Sequence, residues 1–134
     1  MMKKPCLLVV DDHPTNLKLV SDLLEFEDYE VLRAVDAETA QEMIRLTVPD
    51  LVLMDLALPG MDGLTLTRLL KADPATRHII IVALTAYAMK GDEAKAREAG
   101  CDGYITKPID TRSICAQVAG YLKKGQTAHS PQTL

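Results

Sequence analysis

Five short apolar runs punctuate the chain, and each gives way to a polar residue. They are Cys6 to Val10 before Asp11-Asp12, Val31 to Val35 before Asp36, Leu51 to Met54 before Asp55, Ile79 to Leu84 before Thr85, and Tyr104 to Thr106 before Lys107. Runs of this length bounded by turn signals read as strands, and the continuously apolar ones as strands covered on both faces. Val31 to Val35 is interrupted by Arg33, which predicts a sheet edge. Between the runs, apolar residues recur at helical spacing. These stripes are Leu17, Val20, Leu23 and Leu24, then Ala40, Met43 and Ile44, then Leu66, Leu69 and Leu70, and after the fifth run Ile114, Val118, Tyr121 and Leu122. Pro14 with Thr15-Asn16 opens the first helix, and Asp36 caps the second, with Thr39 in its first turn. Gly63 to Ala72 is the third, ended by Asp73-Pro74. Gly91 weakens the start of the fourth, predicting an ordered helix from about Gly91 or Asp92 to a stop at Gly100. Asp110 is placed to cap the fifth. Residues 125–134 have little to bury and are expected to be a disordered tail.

Strand and helix thus alternate five times, which implies an α/β fold with a parallel sheet and helices on both faces. A flavodoxin-like (βα)5 arrangement, doubly wound with five strands in the order 2-1-3-4-5, puts the polar second strand at an edge. In that order the first and third strands meet at the topological switch point, so their carboxyl ends gather Asp11, Asp12 and Asp55. The fourth and fifth strands add Thr85 and Lys107. Each residue alone could be a turn, cap or surface residue. Together they place three carboxylates, a hydroxyl and an ammonium at one sheet edge. Carboxylates at such range repel, and a hard divalent ion such as Mg2+ suits an all-oxygen set. Metal ligands, a carboxylate nucleophile and two groups able to receive phosphoryl oxygens are the equipment of phosphoryl transfer to a carboxylate. No Gly-x-x-x-x-Gly-Lys-Ser/Thr loop is present, nor Gly-x-Gly-x-x-Gly after the first strand.

Composition narrows the classes further. The chain has 134 residues, 48% hydrophobic and 25% charged, which fits one globular domain with a full core. A formal charge of -4 argues against direct nucleic-acid binding. Only five apolar residues lie between the N-terminal lysines and Asp11, too few for a signal peptide's core or a membrane span. The expectation is a cytoplasmic protein with no membrane partner. Cys6, Cys101 and Cys115 match neither a disulfide framework nor a zinc spacing and read as small hydrophobes.

Taken in order, Asp11-Asp12, Asp55 followed by Leu58-Pro59-Gly60-Met61-Asp62-Gly63, Thr85-Ala86 and Lys107-Pro108 resemble a two-component response-regulator receiver domain of the CheY-like kind. The likeness spans residues 4–124. The stretch Thr85 to Asp92 resembles single-domain regulators of the DivK type and also receivers carried by hybrid histidine kinases. The resemblance implies that Asp55 is the phosphoacceptor, served by a histidine kinase or histidine phosphotransfer protein. It implies that Asp12 and Asp55 ligate Mg2+, that Asp11 acts through a metal-bound water, and that the carbonyl of Ala57 adds a ligand. Thr85 and Lys107 would contact the phosphoryl group, Tyr104 would be the aromatic switch, and the bond to Pro108 would be cis. His13 lies outside the ligand set the resemblance implies. Ala57 offers no side chain to orient water and Tyr87 is placed to shield the site, which predicts slow self-dephosphorylation. The implied output is a change in the face of helix four, strand five and helix five, read by a protein effector and compatible with a phosphorylation-linked dimer. The domain would catalyse only its own phosphorylation and dephosphorylation. Three competitors stand beside this reading: a relay receiver cut from a hybrid kinase, a phosphorylation-independent interaction module, and an aspartyl-phosphate enzyme. Haloacid-dehalogenase-type enzymes want Asp where Ala57 stands.

Overall fold

The computed structural model describes residues 4–85 and 90–129. Their elements are β1 (Cys6–Val10), α1 (Pro14–Phe26), β2 (Glu30–Ala34), α2 (Ala37–Leu46), β3 (Leu51–Asp55), α3 (Gly63–Ala72), β4 (Ile80–Thr85), α4 (Lys90–Ala99), β5 (Gly103–Thr106) and α5 (Ile114–His129). All strand pairs are parallel, in the order β2-β1-β3-β4-β5. The three strands buried along their whole length take the centre, while β2 and β5 form the edges. On β2, Arg33 binds Asp22 and Glu25 of α1 at 3.1 and 2.8 Å, which places charge on an otherwise pairable edge.

Period-two alternation sends the sheet's side chains into two cores. Leu7, Val9, Leu51, Leu53, Val82 and Leu84 pack with α1 and α5. Leu8, Val10, Val52, Met54 and Ile81 pack with α2 and α3. A one-residue slip in any central strand would exchange its two faces, and each fully buried Leu contributes about 2 kcal/mol. The layers therefore fix where each strand ends, and with it the residue that follows.

Several boundaries differ from the sequence reading. The strand predicted to end at Val35 ends at Ala34, which accepts the last ladder bond from the Asp11 N–H at 3.1 Å, and Val35 turns half to solvent. Ile79 belongs to the turn before β4 but is fully buried there. In α3, Leu69 faces solvent and Thr67 is buried instead, its hydroxyl donating to the Gly63 carbonyl at 2.7 Å. Asp36 caps α2 as expected, accepting the Thr39 N–H at 2.7 Å. Asp110 caps the turn leading into α5, accepting the Arg112 N–H at 2.9 Å, rather than the helix itself. α4 begins at Lys90, since glycine costs little in a first turn. It ends on Gly100 at φ +108°, where the Gly100 and Cys101 N–H groups return to Arg97 and Ala96. The tail expected to be disordered from residue 125 is helical as far as His129. No proline interrupts it before Pro131, so the hydrogen-bonded ladder continues past Lys124. Residues 130–134 lie outside the described residues, as does Tyr87.

None of the three cysteines forms a disulfide, and burial pushes the Cys101 thiol up from its ordinary pKa, leaving it a packing group. Among the described residues no helix is long and apolar enough to cross a membrane.

Candidate functional site

The carboxyl ends of β1, β3, β4 and β5 converge on one pocket. Asp11 is the first residue past β1, Asp55 and Thr85 are the last residues of β3 and β4, and Lys107 follows β5 directly. Register sets their levels: Asp55 pairs with Leu84, and Thr85 pairs with Thr106. The Lys107 N–H donates to the Thr85 carbonyl at 2.7 Å, tying these two residues together through backbone. The Lys107-Pro108 bond is cis.

Polar side chains buried this deeply need partners. Asp11 is 1% exposed, Asp55 2% and Thr85 6%. The Lys107 ammonium lies 2.9 Å from Asp55 Oδ2 and 3.3 Å from Asp11 Oδ2. The other oxygen of each carboxylate accepts a local N–H two residues on: Ala57 to Asp55 Oδ1 and His13 to Asp11 Oδ1, both at 2.9 Å. Burial works to lower the Lys107 pKa, but the hydrogen bond and charge of Asp55, then those of Asp11, outweigh it. The ammonium is held above its ordinary value of 10.5.

The ammonium serves two carboxylates, Asp55 and Asp11, and the third of the cluster is not fully served. Asp12 Oδ1 is buried without a hydrogen-bond partner. His13 Nδ1 is 3.2 Å from it, close enough for an ion pair but not aligned for a hydrogen bond. Asp11, Asp12, Asp55 and His13 each offer a ligand atom, all within 4.8 Å of one another. An orphaned carboxylate oxygen inside a largely oxygen donor set fits a divalent cation.

The residues singled out in the sequence therefore meet as expected at the ends of four strands. Ala57 is exposed at the pocket's edge, its N–H on Asp55. Tyr104 stands apart on β5, half-buried, and the neighbouring Glu93 carboxylate of α4 raises its phenol pKa above the usual range. A shallow groove of about 230 Å³ runs beside it, lined in part by Arg97, Tyr121 and Lys124. His13 stands beside the carboxylates although the sequence reading leaves it outside the ligand set, and Glu38 escapes that reading altogether. His13 is turned toward the carboxylates by the N–H bond to Asp11. Glu38, in the first turn of α2, accepts the Met61 N–H at 3.3 Å and so holds the loop behind Asp55. The Glu38 contact does not follow from local sequence, since Glu38 and Met61 are 23 residues apart.

Fold and pocket together define a doubly wound α/β domain with an acidic, lysine-bearing cleft at its switch point. The chain belongs to the response regulator receiver domain family, whose model matches residues 7–119. It is a receiver domain of two-component signalling. It is similar to the polar-differentiation response regulator DivK of Brucella anthropi, with 42% identity over 87% of this chain and 94% of that one. Among solved structures, a putative response regulator from Chloroflexus aurantiacus superposes with a TM-score of 0.86 at 33% identity, covering 90% of this chain and 99% of that one. The signal receiver domain of a histidine kinase from Syntrophus aciditrophicus superposes at 0.80 with 29% identity, covering 96% and 95%.

Proposed function

We propose that Asp55 accepts a phosphoryl group from the phosphohistidine of a histidine kinase or phosphotransfer protein, and that this switches the α4–β5–α5 face for a protein effector. The observation that carries the reading is the pairing of a buried Asp55 with Lys107 at 2.9 Å beside an unsatisfied Asp12 oxygen. A carboxylate oxygen of Asp55 forms the O–P bond as the P–N bond to the donor imidazole breaks, and the electron pair leaves with that nitrogen. Lys107 and Thr85 receive the phosphoryl oxygens. Asp12, Asp55 and the Ala57 carbonyl would hold Mg2+, with Asp11 acting through a bound water. Bound Mg2+ supplies positive charge against the carboxylates and the incoming phosphoryl group. Ala57 presents no side chain to position an attacking water, which supports slow hydrolysis. The domain acts on itself alone and has no external small-molecule substrate as its purpose.

Phosphorylation replaces the single negative charge of the Asp55 carboxylate with about two on the phosphoryl group. Thr85 reaches them by moving inward, which opens space beside β4 for Tyr104. Turning in, Tyr104 moves away from the Glu93 carboxylate, which changes how β5 faces α4. A tenfold population shift needs about 1.4 kcal/mol, within reach of one charge-assisted hydrogen bond. The same face would serve a phosphorylation-linked dimer. Thr85→Ala is expected to take up phosphoryl yet leave the Tyr104 ring resonances unmoved by it. Wild-type-like shifts in that variant would remove Thr85 from the coupling.

Incubation with acetyl phosphate and Mg2+, read by intact mass, tests the reaction. The expected result is one added phosphoryl group, acid-stable and base-labile, absent when EDTA is included. No addition despite measured Mg2+ binding would instead favour a phosphorylation-independent interaction module. The likeness to a receiver borne by a histidine kinase favours a second reading, a relay station. In that case a phosphotransfer histidine would strip the phosphoryl group from Asp55 rapidly.

A further inference from the structure

We propose that His13 Nδ1 is a further ligand of the divalent-cation pocket, and that it tilts the site toward nitrogen-accepting ions such as Co2+ relative to Mg2+. This rests on the reading of the acidic pocket as a metal site. His13 is the N-cap residue of α1, yet its side chain makes no capping hydrogen bond. Its backbone is extended, at φ -93° and ψ 111°, as the following Pro14 favours. Its N–H is committed to Asp11 Oδ1 at 2.9 Å. These constraints fix where the ring leaves the chain, and Nδ1 comes to lie 3.2 Å from Asp12 Oδ1 and 3.4 Å from Asp11 Oδ1.

Those separations are informative. Six ligands at about 2.1 Å from an ion place adjacent donors roughly 3.0 Å apart and opposite donors roughly 4.2 Å apart. Nδ1 therefore stands at adjacent-ligand distance from both oxygens. A plain ion pair would be expected to complete a hydrogen bond between ring and carboxylate. Here Asp12 Oδ1 stays unbonded although Nδ1 is its neighbour. Two donor atoms lying side by side without bonding each other is the disposition of two ligands that share an ion. The ring is two-thirds exposed, so in the tautomer that leaves Nδ1 free to coordinate, the Nε2–H can donate its hydrogen bond to water. Mg2+ favours oxygen and keeps its waters, whereas imidazole favours later divalent ions.

The test is calorimetric titration of the metal-free protein and of His13→Asn with Mg2+ and with Co2+ separately. Pulsed EPR of the Mn2+-loaded wild type is run in parallel. The exposed position predicts an unchanged unfolding midpoint for the variant. Co2+ affinity is expected to fall at least about tenfold while Mg2+ affinity holds, and the Mn2+ signal is expected to show coupling to one 14N nucleus. An unchanged Co2+ to Mg2+ affinity ratio with no nitrogen coupling in the wild type would overturn the assignment while leaving the metal pocket standing. Failure of the wild type to bind either ion would overturn both.

Discussion

Lys107→Met is expected to leave the metal-free protein about 2–3 kcal/mol less stable at neutral pH and to slow phosphoryl uptake on the order of a hundredfold. The stability loss follows from what the ammonium faces. Asp55 and Asp11 are almost wholly buried and direct Oδ2 toward it at 2.9 and 3.3 Å. Methionine fills much the same volume but leaves both oxygens opposed to each other. Removing one partner of a buried pair costs about 3–5 kcal/mol, and the lower figure reflects the solvent that still reaches Lys107. Mg2+ should restore part of the loss by supplying the missing charge. The pH dependence has a definite sign. The folded-state pKa of Lys107 is raised, so its contribution is complete below the ordinary value of 10.5 and fades as pH climbs through the higher folded value. The gap between wild type and variant is therefore flat through neutrality and closes in strong alkali. Urea unfolding with EDTA and with Mg2+, across pH, measures all of this. Equal stability of the two proteins in EDTA would mean that the carboxylates find relief elsewhere. The rate effect has a separate cause, the loss of a fixed positive charge where phosphoryl oxygens gather.

Gly63→Ala is expected to destabilise the fold by about 1–3 kcal/mol and to impair phosphoryl uptake, although Gly63 touches no ligand. A Cβ there would meet the carbonyl oxygen of Asp55 at 2.5 Å and Met54 Cγ at 2.9 Å. Both obstacles belong to β3, and the first is the backbone of the acceptor residue, which cannot step aside without carrying its carboxylate along. The helical preference of alanine over glycine, at most about 1 kcal/mol, works the other way and is smaller. Gly120→Ala is the matched control, since nothing lies within 4 Å of its Cβ position in the exposed part of α5. It should stabilise by about 0.5–1 kcal/mol. Opposite signs for one chemical change would show that close approach at the end of β3, rather than glycine content, decides the outcome. Destabilisation of both variants by equal amounts would contradict this.

What was legible in the sequence is what depends on period and punctuation. Apolar runs ending on Asp11, Asp55, Thr85 and Lys107 could be read as strands delivering side chains to one edge, because parallel connections leave few topologies. The polar Val31–Val35 run could be assigned to an edge because only there is Arg33 cheap. What tertiary contact decides was not legible. Leu69 looked like a core residue by spacing, but α3 is rotated so that Thr67 enters the core, its hydroxyl satisfied by the Gly63 carbonyl. A threonine offers no sequence signal that its polar atom will be served by its own helix. α5 runs past Lys124 because no proline breaks its hydrogen-bonded ladder before Pro131, and Gly125 does not stop it. His13 was set aside as a bystander, since a resemblance transfers only the roles its family shares. Its position against Asp11 and Asp12 emerges from the turn into α1.

The central claim is that the phosphoryl group resides on Asp55. The most direct measurement is borohydride reduction of protein phosphorylated by acetyl phosphate in Mg2+, followed by peptide mass analysis. Hydride converts an aspartyl phosphate to homoserine and leaves a free carboxylate intact. The account predicts homoserine at position 55 alone, and none in Asp55→Asn. Homoserine at Asp11 or Asp12, or a phosphoryl group that survives borohydride elsewhere in the chain, would contradict it.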